Sequence, residues 1–286
     1  MLKDIIKTLK INHYIKNIIV ILPLFFSMNY ANINLCIECL IVFMSFCWIS
    51  SSVYILNDII DIEKDKIHPI KCNRPIASGR LSKPLAVAIL VILFCASVFM
   101  AKLVNLLCVL MVILYFILNV FYSLYFKKIV IVDVACIAFG FIFRIIAGCF
   151  AINVIPSAFV ILMTFFASMF FSFTKRKMEL KLVGKSGCRE SIKGFNIPAI
   201  NQFILVNAIL SIAFYFTYTM DEVTMHRAGT EFLYITTVPF TLLVFRFLYL
   251  INFADGEDDP IIFMKDTTLK IFAVFYIIIF VVAYLL

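Results

Sequence analysis

The chain has 286 residues, 64% of them hydrophobic and 15% charged, with a mean hydropathy of +1.08 and a formal net charge of +8. A soluble domain is about half apolar and a quarter charged, so a water-soluble globule is excluded. Eight glycines against 32 phenylalanines exclude a Gly-rich nucleotide-binding α/β protein. What remains is an all-α, polytopic integral membrane protein.

In chain order, Lys3, Lys7, Lys10 and Lys16 precede the first apolar run. The arrangement resembles a signal peptide, but no small-x-small cleavage site follows, so it reads as an uncleaved first span. Nine segments satisfy the length of a membrane helix: about 17–32, 35–58, 84–101, 103–123, 129–151, 156–174, 199–220, 231–252 and 267–286. Nothing alternates in the manner of barrel strands, so these are helices. With the N-terminus in the cytoplasm, 21 of the 25 Lys and Arg fall on the cytoplasmic side, against Lys102 and Arg227 outside. This split supports both the span count and the orientation in a cell membrane. The cations follow the loops of one face, which argues against nucleic-acid binding. The sequence reads as one transmembrane domain over 1–286, with cytoplasmic-face loops at about 61–83, 175–198 and 253–266. Homo-oligomerisation stays open. Most cysteines lie in apolar runs as small hydrophobes, and the lone CxxC of Cys36 and Cys39 lacks a second pair or a nearby His.

The second span runs into Asn57-Asp58-Ile59-Ile60-Asp61-Ile62-Glu63-Lys64-Asp65. On a helix, Asn57, Asp61 and Asp65 recur every four residues and Asp58 falls beside them, so all four share one face. Stacked carboxylates repel unless a cation intervenes, and oxygen-only ligands suit Mg²⁺ shared with a phosphate. The plainer reading is a solvated helix end whose acids pair with Lys64 and Lys66. Further on, Lys71 and Arg74 lie in a loop constrained by Pro69 and Pro75, suited to gripping phosphate or lipid headgroups. Arg144 lies inside a span, where a charge is costly unless it is paired or faces a polar cavity. Asp133, three turns away on the same helix, shares that interior or caps the helix. Arg246 is either a site residue or pairs with an acid on a neighbouring helix. His68 and His226 show no ligand spacing, and His13 lies in the basic leader.

The NDxxDxxxD run, complete at Asn57, Asp58, Asp61 and Asp65, resembles the first motif of the UbiA superfamily of intramembrane prenyltransferases. His68-Pro69-x-Lys71-x-x-Arg74-Pro75-Ile76-Ala77-Ser78-Gly79 is similar to the HPxKxxRPIASG segment of its decaprenyl-phosphate phosphoribosyltransferase branch. Lys16-Asn17, Tyr122-Ser123-x-x-x-Lys127, Asp133 and Gly140-Phe141-x-x-Arg144-x-x-x-Gly148 follow the same branch. Where quinone-type members carry a second acidic cluster, this chain has Lys175-Arg176-Lys177-x-Glu179. Cations there bind phosphate directly, although positive-inside anchoring would also account for them. The resemblance implies a nine-helix UbiA-type bundle that transfers 5-phosphoribosyl from phosphoribosyl diphosphate (PRPP) to a polyprenyl phosphate. It implies Mg²⁺ held by Asn57, Asp58, Asp61 and Asp65, with Asp58, Asp61 and Asp65 catalytic. Substrate contacts would come from Lys16, Lys71, Arg74, Tyr122, Lys127, Asp133, Arg144, Lys175, Arg176 and Glu179. The alternatives are prenyl transfer onto a quinone or haem precursor, and a polyprenyl-phosphate carrier without chemistry.

Overall fold

A computed structural model describes residues 2–187, 191, 194–253 and 266–285. Among these residues every regular element is helical, and nine helical stretches are long and apolar enough to cross a membrane. The sixth starts as expected and runs well past 174, and seven others coincide with the expected spans within a few residues. The first does not: it covers Leu2–Phe26 rather than 17–32, because the basic leader is itself helical. The acidic segment 254–260 and the rest of its loop to 265 lie outside the described residues, as do 188–190, 192 and 193.

The described chain divides into two compact units, Met1–Pro156 and Ser157–Leu286. The first unit opens with α1 (Leu2–Leu9), a ten-residue 3₁₀ helix (Ile11–Val20) and α2 (Leu22–Phe26). Runs of 3₁₀ helix this long are uncommon, and the sequence accounts for this one. Isoleucines, Asn and His are poor α-formers. A three-residue repeat also sets Tyr14, Asn17 and Val20 in one row. Asn17 and Val20 are fully buried; an α-helical period would rotate them apart.

Next come α3 (Ile33–Ile60), α4 (Ile62–Ile67), α5 (Lys83–Val104), α6 (Leu106–Leu124) and α7 (Val132–Ala151). The helix α3 is the axis of this unit. Val42, Phe46, Ile49 and Val53 pack with Ala101 of α5, Val112 and Tyr115 of α6, and Ala147 and Ala151 of α7. Polar stitches fix its neighbours. Ser45 Oγ donates to the Ser97 carbonyl at 2.8 Å while Ser97 Oγ donates to the Ser45 carbonyl at 2.8 Å. Ser52 Oγ donates to the Leu90 carbonyl. Small hydroxyl side chains let α3 and α5 approach closely and hydrogen-bond in lipid.

Two backbone features tie the unit together. At Gly148 a Cβ would meet the Val20 carbonyl oxygen at 2.1 Å and Pro23 Cγ at 3.1 Å, so the N-terminal segment crosses α7 directly on the glycine. Before α7, Ile131 has φ 68°, ψ −43°, and the Val132 N–H donates to the Val130 carbonyl at 2.8 Å. This is a γ-turn with positive φ, a strained conformation, centred here on a β-branched residue for which that region is an outlier.

The second unit contains α8 (Ala158–Gly187), α9 (Ile197–Thr219), α10 (Glu222–Ala228), α11 (Thr237–Phe253) and α12 (Thr267–Leu285). The helix α8 continues far beyond the expected end at 174, so Lys175, Arg176 and Glu179 lie on a helix and not in a loop. Good helix formers from Lys175 to Lys181 explain the extension. Phe173 and Phe203 stack at 5.1 Å and Phe166 and Phe214 at 5.4 Å, joining α8 to α9. Arg246 donates to both carboxylate oxygens of Asp266, at 3.1 and 2.8 Å. Asp266 Oδ1 also accepts the Leu269 N–H at the start of α12. Hydrogen bonding from Arg246 holds the Asp266 carboxyl below its usual range. Arg246 therefore pairs structurally with an acid of a neighbouring element.

Two stability measurements test these packing arguments. Gly148→Ala should lower stability in detergent by about 1–3 kcal/mol, read from thermal unfolding, because Val20 must move. Ile131→Gly should be more stable than Ile129→Gly by about 1–2 kcal/mol, since Ile129 already has an ordinary φ of −95°.

Candidate active site

The acidic stripe lies where α3 gives way to α4. Asp61 separates the two helices with φ −95°, ψ 11°, yet the hydrogen-bond ladder continues: Asp61 N–H donates to the Asn57 carbonyl at 3.0 Å and Asp65 N–H to the Asp61 carbonyl at 2.8 Å. The helical spacing expected from the sequence is thus retained through the pause. Asp58 and Asp65 are buried, at 2% and 4% exposure.

The cations meeting these acids come from elsewhere in the chain. Arg74 Nη1 donates to Asp58 Oδ1 at 3.0 Å and to Asp65 Oδ2 at 2.7 Å. Lys10 Nζ donates to the same Asp58 Oδ1 at 2.8 Å. Lys127, in the short 3₁₀ turn after α6, reaches both oxygens of Asp61 at 2.7 and 2.8 Å. Lys66 instead pairs with Glu63 on the exposed side of α4. The stripe is therefore a built cluster on long-range partners, not a solvated helix end neutralised by its sequence neighbours. Asn57 Oδ1 accepts from Ser123 Oγ of α6.

The loop carrying Arg74 is held at both ends. Pro75, Ile76, Ala77 and Leu81 are buried, Ile76 and Leu81 packing with Ile55 and Ala86. Full burial of such side chains contributes about 1.5–3 kcal/mol each. Arg80 donates to Asp4 of α1 at 2.9 Å and to the Asn73 carbonyl at 2.7 Å. Gly79 closes the turn with φ +76°, a conformation open to glycine. At the start of the loop, His68 Nδ1 accepts the backbone N–H groups of Ile70 and Lys71, at 3.2 and 3.3 Å. This requires an unprotonated Nδ1 and fixes the 3₁₀ turn Lys71–Asn73 that leads into Arg74. Lys71 is half-buried in that turn.

Arg144 occupies a different layer. Its Nε donates to Asn17 Oδ1 at 2.7 Å, Nη1 to the Gly140 carbonyl at 2.8 Å, and Nη2 to Ser50 Oγ and Tyr115 Oη at 3.2 and 3.0 Å. Its guanidinium lies 4.5 Å from the Tyr115 ring centre. Ser50 precedes Asp58 by eight residues, about 12 Å along α3. Arg144 thus clamps the N-terminal 3₁₀ helix to α3 and α6, deeper than the acids. Tyr122 is half-buried on α6, Asp133 is buried in the first turn of α7, and Lys16 is exposed on the 3₁₀ helix. In the second unit Lys175 is exposed. Arg176 is 2% exposed and pairs with Glu179 at 3.3 Å, and the buried Lys177 donates to Asn252 Oδ1 at 2.6 Å.

Three residues were missed by sequence reasoning. Lys10 looked like one of several insertion-signal cations. His68 acts through backbone amides, so no ligand spacing betrays it. Tyr54, beside Lys10 and His13, extends the polar face of α3; the period linking Ser50, Tyr54, Asp58 and Asp61 was the available signal.

The donor set bears directly on whether a divalent cation fits. Two carboxylate oxygens converge on a single guanidinium nitrogen, so positive charge is already centred between Asp58 and Asp65. Among the described residues no three His, Cys, Asp or Glu side chains stand close enough to hold an ion by themselves. Two carboxylates fit Mg²⁺, which keeps several waters and takes its other ligands from substrate phosphates.

Comparison with known proteins agrees with this architecture. The chain is 29% identical to a decaprenyl-phosphate phosphoribosyltransferase of Corynebacterium glutamicum, over 97% of this chain and 86% of the relative. It is 25% identical to the protein of that name from Mycolicibacterium smegmatis, over 95% and 89%. The fold matches a UbiA homologue from Archaeoglobus fulgidus bound to GPP and Mg²⁺, with TM-score 0.73 and 15% identity, covering 99% of this chain and all of that one. A digeranylgeranylglyceryl phosphate synthase structure matches with TM-score 0.69 at 17% identity, over 99% of this chain and 98% of that one. The UbiA prenyltransferase family model matches residues 19–181, more than half of the chain, and the chain therefore belongs to the UbiA prenyltransferase family of multi-pass membrane transferases.

Proposed function

We propose that this transferase moves 5-phosphoribosyl from PRPP to a polyprenyl phosphate and releases diphosphate, with its polar site at the cytoplasmic face of the cell membrane. The observation that carries the reading is the acid–cation cluster of Asp58, Asp65, Arg74 and Lys10, with Asp61 and Lys127 beside it. A metal-bound diphosphate suits a site that has both a metal-binding acid pair and nearby cations. The names of the full-length relatives support phosphoribosyl as the group transferred.

In this reaction a lipid phosphate oxygen forms a bond to the anomeric carbon of ribose. The bond from that carbon to the diphosphate oxygen breaks, and its electron pair leaves with diphosphate. The nucleophile is already ionised at neutral pH, so no general base is required. When bound at Asp58 and Asp65, with Asn57 and Asp61 beside them, Mg²⁺ supplies positive charge to the departing diphosphate. Arg74 and Lys71 orient phosphate oxygens, Arg74 through its planar fork of donors. Lys127 holds Asp61, and Lys16, Tyr122 and Asp133 are assigned to the substrate by their motifs. Arg144 acts by positioning the N-terminal segment. In the second unit, Lys175 and Arg176 are assigned to phosphate oxygens by their chemistry, with Glu179 orienting Arg176. Holding a water-soluble donor and a lipid acceptor together supplies the entropic part of the rate enhancement.

Labelled PRPP and labelled prenyl diphosphate, each offered to purified protein in detergent with a polyprenyl phosphate or a quinone precursor, test the assignment. Label should pass to lipid from PRPP alone; passage from prenyl diphosphate alone would refute it. Asp61→Asn and Asp65→Asn should each lower the rate on the order of 10²–10³-fold with an unchanged unfolding midpoint, and EDTA should abolish turnover. His68→Ala should raise KM for PRPP. His68→Asn, whose side-chain oxygen can accept the same two amides, should restore it.

A further inference from the structure

We propose that Lys10 is a diphosphate ligand that stands on Asp58 until a metal ion replaces it, so that metal and diphosphate enter this site together. The inference deepens the proposed function and rests on it for the ligand, a metal-bound diphosphate.

The charges in the cluster balance: Asp58, Asp61 and Asp65 face Lys10, Arg74 and Lys127. A divalent ion arriving alone meets two side-chain cations on the carboxylates it needs. A diphosphate arriving alone meets cations already bonded to carboxylates. Arriving together, they exchange partners, and each carboxylate and each freed cation keeps an opposite charge beside it. The ion takes Asp58 and Asp65, its two charges replacing those of Lys10 and Arg74, and the two freed cations turn to phosphate oxygens.

Exposure sets the direction of approach. The side chains of Lys10 and Arg74 are 21% and 32% exposed, whereas that of Asp58 is 3% exposed. An incoming ligand therefore meets the cations before the acids. Lys10 also stands at the break between two helical segments, α1 and the 3₁₀ helix, with φ 52°, ψ 48°. It contacts one oxygen of Asp58, while Lys127 grips both oxygens of Asp61. Its ammonium lies 5.2 Å from the centre of the Tyr54 ring, an attractive surface for a cation released from Asp58. The ammonium is a compact charge on a flexible stem, able to follow a phosphate. The rest of the leader cannot move with it, because Asn17 is held by Arg144 and Val20 lies on Gly148.

The test uses purified protein in detergent, with Mn²⁺ as the metal probe and inorganic diphosphate as the anion. Free Mn²⁺ is read by electron paramagnetic resonance and bound diphosphate by equilibrium dialysis at fixed Mn²⁺. Wild-type protein should bind Mn²⁺ weakly alone and more tightly with diphosphate, by a coupling factor of about 5–150. Lys10→Met should bind Mn²⁺ alone about tenfold more tightly and diphosphate about tenfold more weakly, reducing the coupling. Lys10→Arg should keep the wild-type pattern. Lys10→Gln gives the same two shifts as Met and serves should the Met variant fold poorly. Unchanged or weaker Mn²⁺ binding in the neutral variants, or unchanged diphosphate binding, overturns the proposal. A parallel arm with a short-chain prenyl monophosphate separates the two phosphate sources: a loss there and not with diphosphate also overturns it. None of these readouts involves PRPP, so failure of the phosphoribosyl assignment would appear in the labelling experiment and leave these results standing.

Discussion

The shared guanidinium of Arg74 is the contact on which the site depends. Asp58 and Asp61 lie at the C-terminal end of a 28-residue helix, where the helix dipole disfavours negative charge. Burial of Asp58 and Asp65 adds a desolvation penalty. Such an arrangement needs cations from outside the helix, and it obtains them from three separate elements. Loop 68–81 brings Arg74, the turn after α6 brings Lys127, and the N-terminal leader brings Lys10. A buried ion pair is weak support for stability compared with apolar packing. The cluster is better understood as a preorganised site whose acids and bases are held ready for charges of opposite sign.

The rest of the first unit holds these three elements in register. Reciprocal Ser45–Ser97 bonds fix α5 on α3, and the Ile76–Leu81 plug then seats the Arg74 loop on the same pair of helices. The N-terminal 3₁₀ helix is locked by one close approach and one charge: Gly148 admits the Val20 carbonyl, and Arg144 bonds Asn17. Arg144 spends its donors on Asn17, Ser50, Tyr115 and its own helix. That explains how a charge persists inside a span without lying at the acid stripe.

Much of this was legible in the sequence because membrane physics leaves few choices. Apolar lengths gave the spans, and four-residue spacing gave the face shared by Asn57, Asp58, Asp61 and Asp65. The first span was misplaced because leader lysines were read as flanking charge; their side chains project from helical segments rich in isoleucine and leucine. The end of α8 was misplaced because hydropathy falls at Lys175 while helix propensity does not. Pairings were the least legible. Nothing local distinguishes Lys10 from Lys7, or tells that Asp61 will find Lys127 sixty-six residues away. The role of His68 passes through backbone amides and leaves no pattern in side-chain types.

The most direct test of the central claim is the position of a metal ion relative to Asp58 and Asp65. In crystals grown with Mn²⁺ and PRPP, anomalous scattering should show an ion held at these two carboxylates, with Arg74 moved onto phosphate oxygens. An ion bound elsewhere, with Arg74 still bonded to both aspartates, would contradict the account.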